Sequence, residues 1–179
     1  MSLIESFVPS TAKKAEEWIK RMRDKHLAGS RPLHTDERTA LQHHFDADIL
    51  DAVRIDEVTQ MEKPPFLDML RNQLAFVGIR FDFPIETTLG YTFDDCVLVR
   101  ESPPSLALLF HELAHVVQYR QLGISHFAEA YVRGFAENEF TYDRIPLEEI
   151  AHQLTARYRA GETFSVNDET TRWLAKRGY

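Results

Sequence analysis

The segment His-Glu-x-x-His at positions 111 to 115 carries the residues best suited to chemistry. Histidines four positions apart lie on the same face of an α-helix, so both imidazoles can bind one zinc ion. The glutamate beside the first histidine can reach a zinc-bound water and accept its proton. His111 and His115 are therefore candidate metal ligands, and Glu112 is the candidate general base.

The sequence around this motif predicts a helix with two different faces. The apolar face holds Leu106, Leu109, Phe110, Leu113, Val116 and Val117, and the opposite face holds His111, His115, Gln118 and Leu122. One face is expected to pack while the other borders a cleft. The structural alternative would bury two histidines and a glutamate in the core, where an unpaired carboxylate costs several kcal/mol.

Catalytic zinc usually has three protein ligands and a water, so a third ligand must come from elsewhere in the chain. The downstream candidates are His126, Glu129, Glu137, Glu139, Glu148, Glu149 and His152. In a helix starting at Pro146, Glu148 flanks the apolar stripe while Glu149 points away, and the small Ala151 allows close approach to the metal helix. Glu148 is the preferred third ligand, with Glu139, Glu137 and Glu149 left open. A first-turn acid can also be favoured by the helix dipole alone.

These residues carry a resemblance to a known family. His-Glu-Leu-Ala-His-Val-Val-Gln at 111–118, followed by Ile-Pro-Leu-Glu-Glu-Ile-Ala at 145–151, resembles the zincin-like domains often found with bacterial extracellular contractile injection systems. The resemblance covers roughly residues 90–158 and implies a bacterial source, a gluzincin-type zinc site and a hydrolase fold. Many gluzincins have an Asp four residues after the third ligand, where it orients a metal-bound histidine. Here that position is His152, which could instead contact substrate or the developing oxyanion.

The elements that must position these residues follow from apolar periodicity and capping residues. Helices are predicted over 10–27 with Ser10 as N-cap, 35–44, 64–72, 105–122 ended by Gly123, 126–138 with Ser125 as cap, 146–160, and 168–177 with Asn167 as cap. Strands are predicted over 52–58, 76–83 and 96–99, with a turn at 90–92. His43 and His44 are expected at the surface. The fold class is α+β and zincin-like, a small sheet of short strands on the active-site helix followed by a helical C-terminal half.

Length and composition fit one domain over residues 1–179, with a helical part at 1–50 and a metal-site core at 90–158. The chain of 179 residues is 44% hydrophobic and 27% charged, as soluble globular proteins are. Its net charge of -7 argues against nucleic acid and acidic membranes as partners. The single Cys96 and the absence of a signal-peptide pattern favour a cytoplasmic location, although signal-independent export would leave no such mark.

The expected reaction is peptide-bond hydrolysis with Zn²⁺ as cofactor and a peptide or protein as substrate. Tyr142, His152 and Tyr131 are candidates for stabilising the oxyanion. The segment Cys96 to Arg100 is either an exposed sheet edge that binds an extended peptide or an internal strand. Two other functions stay open. One is a catalytically silent zinc-binding scaffold, and the other is an effector or toxin peptidase delivered by an injection apparatus.

Overall fold

A computed structural model describes residues 3–81, 83–84 and 87–179, with side chains from residue 7 onward. The fold is α+β. Its elements are α1 Leu3–Leu27, α2 Thr35–Leu41, α3 Ala47–Ala52, β1 Arg54–Glu57, α4 Phe66–Phe76, β2 Gly90–Phe93, β3 Cys96–Val99, α5 Leu106–Glu137, α6 Pro146–Arg159 and α7 Val166–Arg177. A 3-10 turn over Tyr142–Arg144 precedes α6. No helix in the described part of the chain combines the length and apolar character needed to cross a membrane.

The three strands form one mixed sheet in the order β1-β3-β2, with β3 parallel to β1 and antiparallel to β2. All four residues of β3 are buried, because this central strand is covered on both faces. The possibility that Cys96 to Arg100 forms an exposed edge is therefore wrong, and the internal strand is correct. The edge strand on the side of the histidine motif is β2.

The sheet lies between α1 and α5. Cys96 and Leu98 share a hydrophobic cluster with α1, whose Trp18 meets Phe93 of β2 at 5.0 Å between ring centroids. Alternate residues point to the opposite face, where Val97 and Val99 pack with Leu109, Leu113 and other apolar residues of α5. The apolar stripe predicted for the histidine helix thus packs against the sheet.

Helix α5 turns back on itself at Gly123, where φ is 73° and ψ is 160°. Only glycine adopts this backbone conformation without strain. The rings of Tyr119 and Phe127 stack with centroids 3.7 Å apart, although eight residues would separate them by about 12 Å in a continuous helix. The two predicted helices on either side of Gly123 therefore exist, and the second folds back over the first.

The first helix differs from its prediction. It begins at Leu3 rather than at Ser10, and Pro9 lies inside it. The Ser10 hydroxyl donates to the backbone oxygen of Phe7 instead of capping a helix start. The apolar stripe around Trp18 was identified correctly, but Ser10 was taken as the helix start because serine is a common N-cap.

The region between α1 and α5 departs furthest from prediction. Residues 76–83 do not form a strand in the described residues, because Phe76 ends α4 and the chain beyond it is irregular. Residues 90–92 belong to strand β2 instead of a turn, which lies at 94–95. Helix α3 was not predicted, and α7 begins at Val166 with Ser165, not Asn167, as N-cap. The helical segment after Gly123 already includes Ser125, so Ser125 is not its N-cap.

Candidate metal centre

Three side chains from α5 and α6 converge on one point. The Nε2 atoms of His111 and His115 are 3.2 Å apart, and each is 3.4 Å from Oε2 of Glu148. Zinc bonds of about 2.0–2.1 Å in a tetrahedron separate neighbouring ligand atoms by about 3.3–3.4 Å. The three donor atoms therefore have the mutual spacing of three corners of a tetrahedral zinc site.

A neighbouring glutamine determines which nitrogen of His115 faces this point. The amide nitrogen of Gln118 donates to the backbone oxygen of Leu147 at 3.0 Å, and its Oε1 lies 2.9 Å from Nδ1 of His115. A carbonyl oxygen only accepts, so the amide orientation is fixed and Nδ1 of His115 is the donor. In a neutral ring, Nε2 then presents a lone pair toward His111 and Glu148.

The carboxylate of Glu148 is held from one side only. Tyr131, on the returning half of α5, donates its hydroxyl to Oε1 at 2.7 Å. Oε2 is buried and has no hydrogen-bond partner within the described structure. A buried carboxylate oxygen beside two imidazole nitrogens is stabilised by positive charge, which either a bound cation or a proton on His115 can supply. This donor set therefore fits a cation such as zinc.

The pKa values of Glu148 and His115 show that each group stabilises the charged form of the other. Burial alone would raise the pKa of Glu148, but the imidazoles of His115 and His111 hold it well below its usual range. Burial would likewise lower the pKa of His115, but the Glu148 carboxylate raises it to about 9. A metal bound at this point would compete with the proton that the raised pKa favours on His115.

Glu112 lies beside the donor triangle, formed by Nε2 of His111, Nε2 of His115 and Oε2 of Glu148, and is not part of it. Its Oε2 accepts a hydrogen bond of 2.7 Å from the hydroxyl of Thr92 on β2. Gly90, also on β2, lies so close that a Cβ there would meet Oε1 of Glu112 at 2.3 Å. Burial raises the pKa of Glu112, although the two histidines oppose this effect. Strand β2 therefore contacts both oxygens of this carboxylate and holds it in position.

A close contact between helices brings Glu148 to the histidines. Gly134, on the returning half of α5, packs against Pro146 so tightly that a Cβ would lie 2.5 Å from the proline ring. Pro146 occupies the first turn of α6, where its missing N–H costs nothing. Glu148 follows two residues later and faces inward. Its side chain is 4% exposed, whereas the alternative ligands Glu137, Glu139 and Glu149 are 54%, 85% and 42% exposed and face solvent.

His152 lies one turn beyond Glu148, with its ring 4.6 Å from that of His111. Its ligating nitrogen and those of His111 and Glu148 lie within 4.8 Å of one another, so it is a further candidate ligand. Burial lowers its pKa, with the charge of His111 adding to the effect, so its neutral form is favoured. Among the oxyanion candidates, Tyr131 donates to Glu148 and is committed there, while Tyr142 and His152 border the cleft.

The cluster stands between two spaces. An open cleft of about 650 Å³ lies on one side, bordered by polar residues that include Thr88, Glu101, Asp143 and Arg159. A smaller cavity of about 120 Å³ lies on the other side and is mainly apolar. A molecule in the cleft can therefore reach His111 and Glu112 from solvent.

Sequence reasoning named the residues that converge at the candidate site but missed the residues that position them. Gln118 was placed on the histidine face without a role, although its position three residues after His115 is the spacing that lets the side chains meet. Gly90 and Thr92 were assigned to a turn, because glycine before polar residues resembles turn chemistry. The roles of Tyr131 and Gly134 depend on the reversal of α5 and have no local signal. His44, expected at the surface, is buried away from the metal centre.

Comparison of the chain with protein-family models, with curated proteins and with solved structures gave no match. What the chain can do is therefore inferred from the residues of the candidate site.

Proposed function

We propose that this protein is a zinc-dependent metallopeptidase of zincin-like fold. His111, His115 and Glu148 would hold the metal, and Glu112 would act as the general base. The observation that carries the proposal is the triangle of 3.2 to 3.4 Å between three donor atoms, one of which is a buried carboxylate oxygen without a hydrogen-bond partner. Bound zinc would polarise a carbonyl and make its water a stronger acid.

The chain's own residues account for the proton transfers. Glu112, one position from a proposed ligand and held by Thr92, accepts a proton from the attacking water and later returns it to the leaving amine. Gly90 keeps the carboxylate in place by close packing. Tyr142 and His152 border the cleft beside the proposed metal, where a donor can stabilise the oxyanion of the tetrahedral intermediate.

A peptide is the substrate that this cleft suits best. Strand β2 is at the edge of the sheet, and its residues Gly90 and Thr92 contact the proposed base. An extended peptide can add to such an edge through backbone hydrogen bonds. Its scissile carbonyl would then lie near Glu112 and the donor triangle.

The test compares the wild type with Glu112→Gln in purified, zinc-analysed protein, using a peptide library or a cell lysate as substrate. The variant should hold zinc as the wild type does, while hydrolysis falls on the order of 10²-fold or more because the base is lost. Glu149→Gln is the matched control. Glu149 adjoins the proposed ligand Glu148, but its side chain is 42% exposed, so this variant should cleave normally.

Equal cleavage by Glu112→Gln and the wild type at equal zinc content would refute the role of Glu112. If zinc is present and neither protein cleaves any substrate, the function is that of a zinc-binding scaffold. An effector delivered by an injection apparatus would show the same chemistry and would differ in where its substrates are found.

A further inference from the structure

An apolar cavity adjoins the donor triangle on the side away from the open cleft. Helices α1 and α4, strand β2 and the returning half of α5 all contribute to its lining, with Trp18, Leu70, Phe93 and Ala128 among the apolar contacts. The charged or titratable acid and histidine side chains in the described lining are those of the candidate site itself, namely His111, Glu112, His115 and Glu148. Away from the candidate site, the described lining therefore offers no counter-charge to an entering lysine or carboxylate.

The volume of the cavity, about 120 Å³, limits what can enter. An apolar protein cavity of about 150 Å³ stays dry and binds benzene. A space of about this size suits a branched aliphatic side chain or one phenyl ring better than the larger indole. Apolar walls without a partner lose dispersion contacts, so a side chain that fills the cavity gains them.

The cavity and the cleft meet at the proposed metal. Gly90, His111, Glu112 and Tyr142 border both spaces. The residues of the proposed reaction therefore stand at the entrance to the cavity. A peptide that lies in the cleft with its carbonyl at this point can place one neighbouring side chain into the apolar space.

We infer that this cavity is the specificity pocket of the enzyme and takes one leucine-sized or phenylalanine-sized side chain adjoining the scissile bond. The inference rests on the proposed function. It predicts a preference for uncharged, branched or single-ring residues on one side of the cleaved bond, and discrimination against charged and indole side chains.

Binding of hydroxamates, which chelate zinc without being hydrolysed, tests the pocket separately from catalysis. The series is acetohydroxamate, 4-methylpentanohydroxamate, 3-phenylpropanohydroxamate and 3-(indol-3-yl)propanohydroxamate, measured by calorimetry on zinc-loaded protein. The isobutyl and phenyl compounds should bind about 10–100-fold tighter than acetohydroxamate, as expected for burying one such group. The indole compound should lose most of this gain.

Two variants fill the cavity from opposite walls, Ala128→Leu on α5 and Thr11→Leu on α1. Each should bind acetohydroxamate as the wild type does and lose the preference for the isobutyl and phenyl compounds. Ala130→Leu is the matched control, because Ala130 is equally buried on α5 but does not line the cavity. The wild-type series decides the question even if a filled variant fails to fold.

The outcomes separate the two proposals. Equal affinity for all four compounds, or an unchanged preference in both filled variants, overturns the pocket and leaves the zinc site intact. Protein that contains no zinc, or zinc-loaded protein that binds no hydroxamate, overturns the proposed function and the pocket with it.

Discussion

The contact between His26 and Asp56 and the candidate metal centre both bring histidine to a carboxylate, and their geometries differ. His26 on α1 and Asp56 on β1 form a direct hydrogen bond of 2.7 Å between Nδ1 and Oδ2. In the candidate metal centre, the nearest imidazole nitrogens lie 3.4 Å from Oε2 of Glu148, which has no hydrogen-bond partner among the described residues. A histidine and a carboxylate that hydrogen-bond to each other approach to 2.7 Å, as His26 and Asp56 do. Groups that bind one zinc ion stay about 3.3–3.4 Å apart.

The largest expected difference between the two places is in metal content. His115→Ala should abolish stoichiometric zinc binding, because it removes one of the three protein ligands that a catalytic zinc site needs. His26→Ala removes a partly buried histidine from the pair with Asp56 and should leave about one zinc per chain. Elemental analysis measures both, and added zinc should raise the melting temperature of His26→Ala but not of His115→Ala.

Full zinc content in His115→Ala would contradict the ligand assignment. Loss of zinc in both variants at equal folded content would remove the contrast between the two histidine–carboxylate contacts.

A smaller effect is expected when the orientation of His115 is disturbed while the ligand remains. Gln118→Leu removes the acceptor at Nδ1, so zinc affinity should fall about 10–100-fold, the usual effect of losing such a partner. Gln121→Leu on the same helix is the control, because Gln121 bonds to Asn167 away from the metal centre. Competition with a chromogenic chelator measures both affinities. Equal affinities in the two variants would mean that Gln118 only fills space.

The spacing of the triangle should also respond to the contact between Gly134 and Pro146. Alanine normally stabilises a helix interior by about 1 kcal/mol over glycine, but here its Cβ would overlap the proline ring. We expect Gly134→Ala to lower the free energy of unfolding by about 1–3 kcal/mol and to weaken zinc binding. Chemical denaturation with and without zinc measures both effects. A stabilised variant with unchanged zinc affinity would contradict this role of the close contact.

His44 offers the mildest contrast, because it is buried and its ring nitrogen pairs with a backbone oxygen instead of a carboxylate. Its Nδ1 donates to the backbone oxygen of Phe164, and burial lowers its pKa below the ordinary 6.5 despite that bond. The folded protein therefore prefers the neutral ring. Its contribution to stability is complete above pH 6.5 and is lost as the pH falls through the lowered pKa, with a slope of at most about 1.4 kcal/mol per pH unit.

The measurement compares His44→Asn with its parent, both in the His115→Ala background so that the metal centre does not contribute. The parent should lose more stability than the variant between pH 7 and pH 5. Parallel curves would show that protonation of His44 does not oppose folding.

The part of the molecule that sequence reasoning predicted best is the part with periodic patterns and strong caps. The histidine helix, its end at Gly123, strand Cys96–Val99 and helix α6 from Pro146 were predicted within a few residues. Glu148 was chosen from its face of α6, and the structure brings it to the two histidines. These features depend on local spacing, which the sequence records directly.

What could not be predicted depends on contacts between distant segments. Strand β2 contains Gly90, which looks like a turn residue until the carboxylate packed against it is seen. His44 was assigned to the surface on helical geometry, yet the rings of Phe110, Tyr158 and Phe164 surround it. The residues that contact Gly90 and His44 are distant from them in sequence, so no local pattern could reveal these contacts.

The packing of α1 has a consequence for synthesis of the chain. Trp18 rests on β2, and the rest of its apolar stripe meets α5, so the partners of α1 are made long after it. At about 5–20 residues per second, α1 waits several seconds or more with Trp18 and Met22 exposed. We therefore expect ribosome-bound chains that stop before residue 106 to bind chaperones through α1, and release of that binding once α5 has emerged.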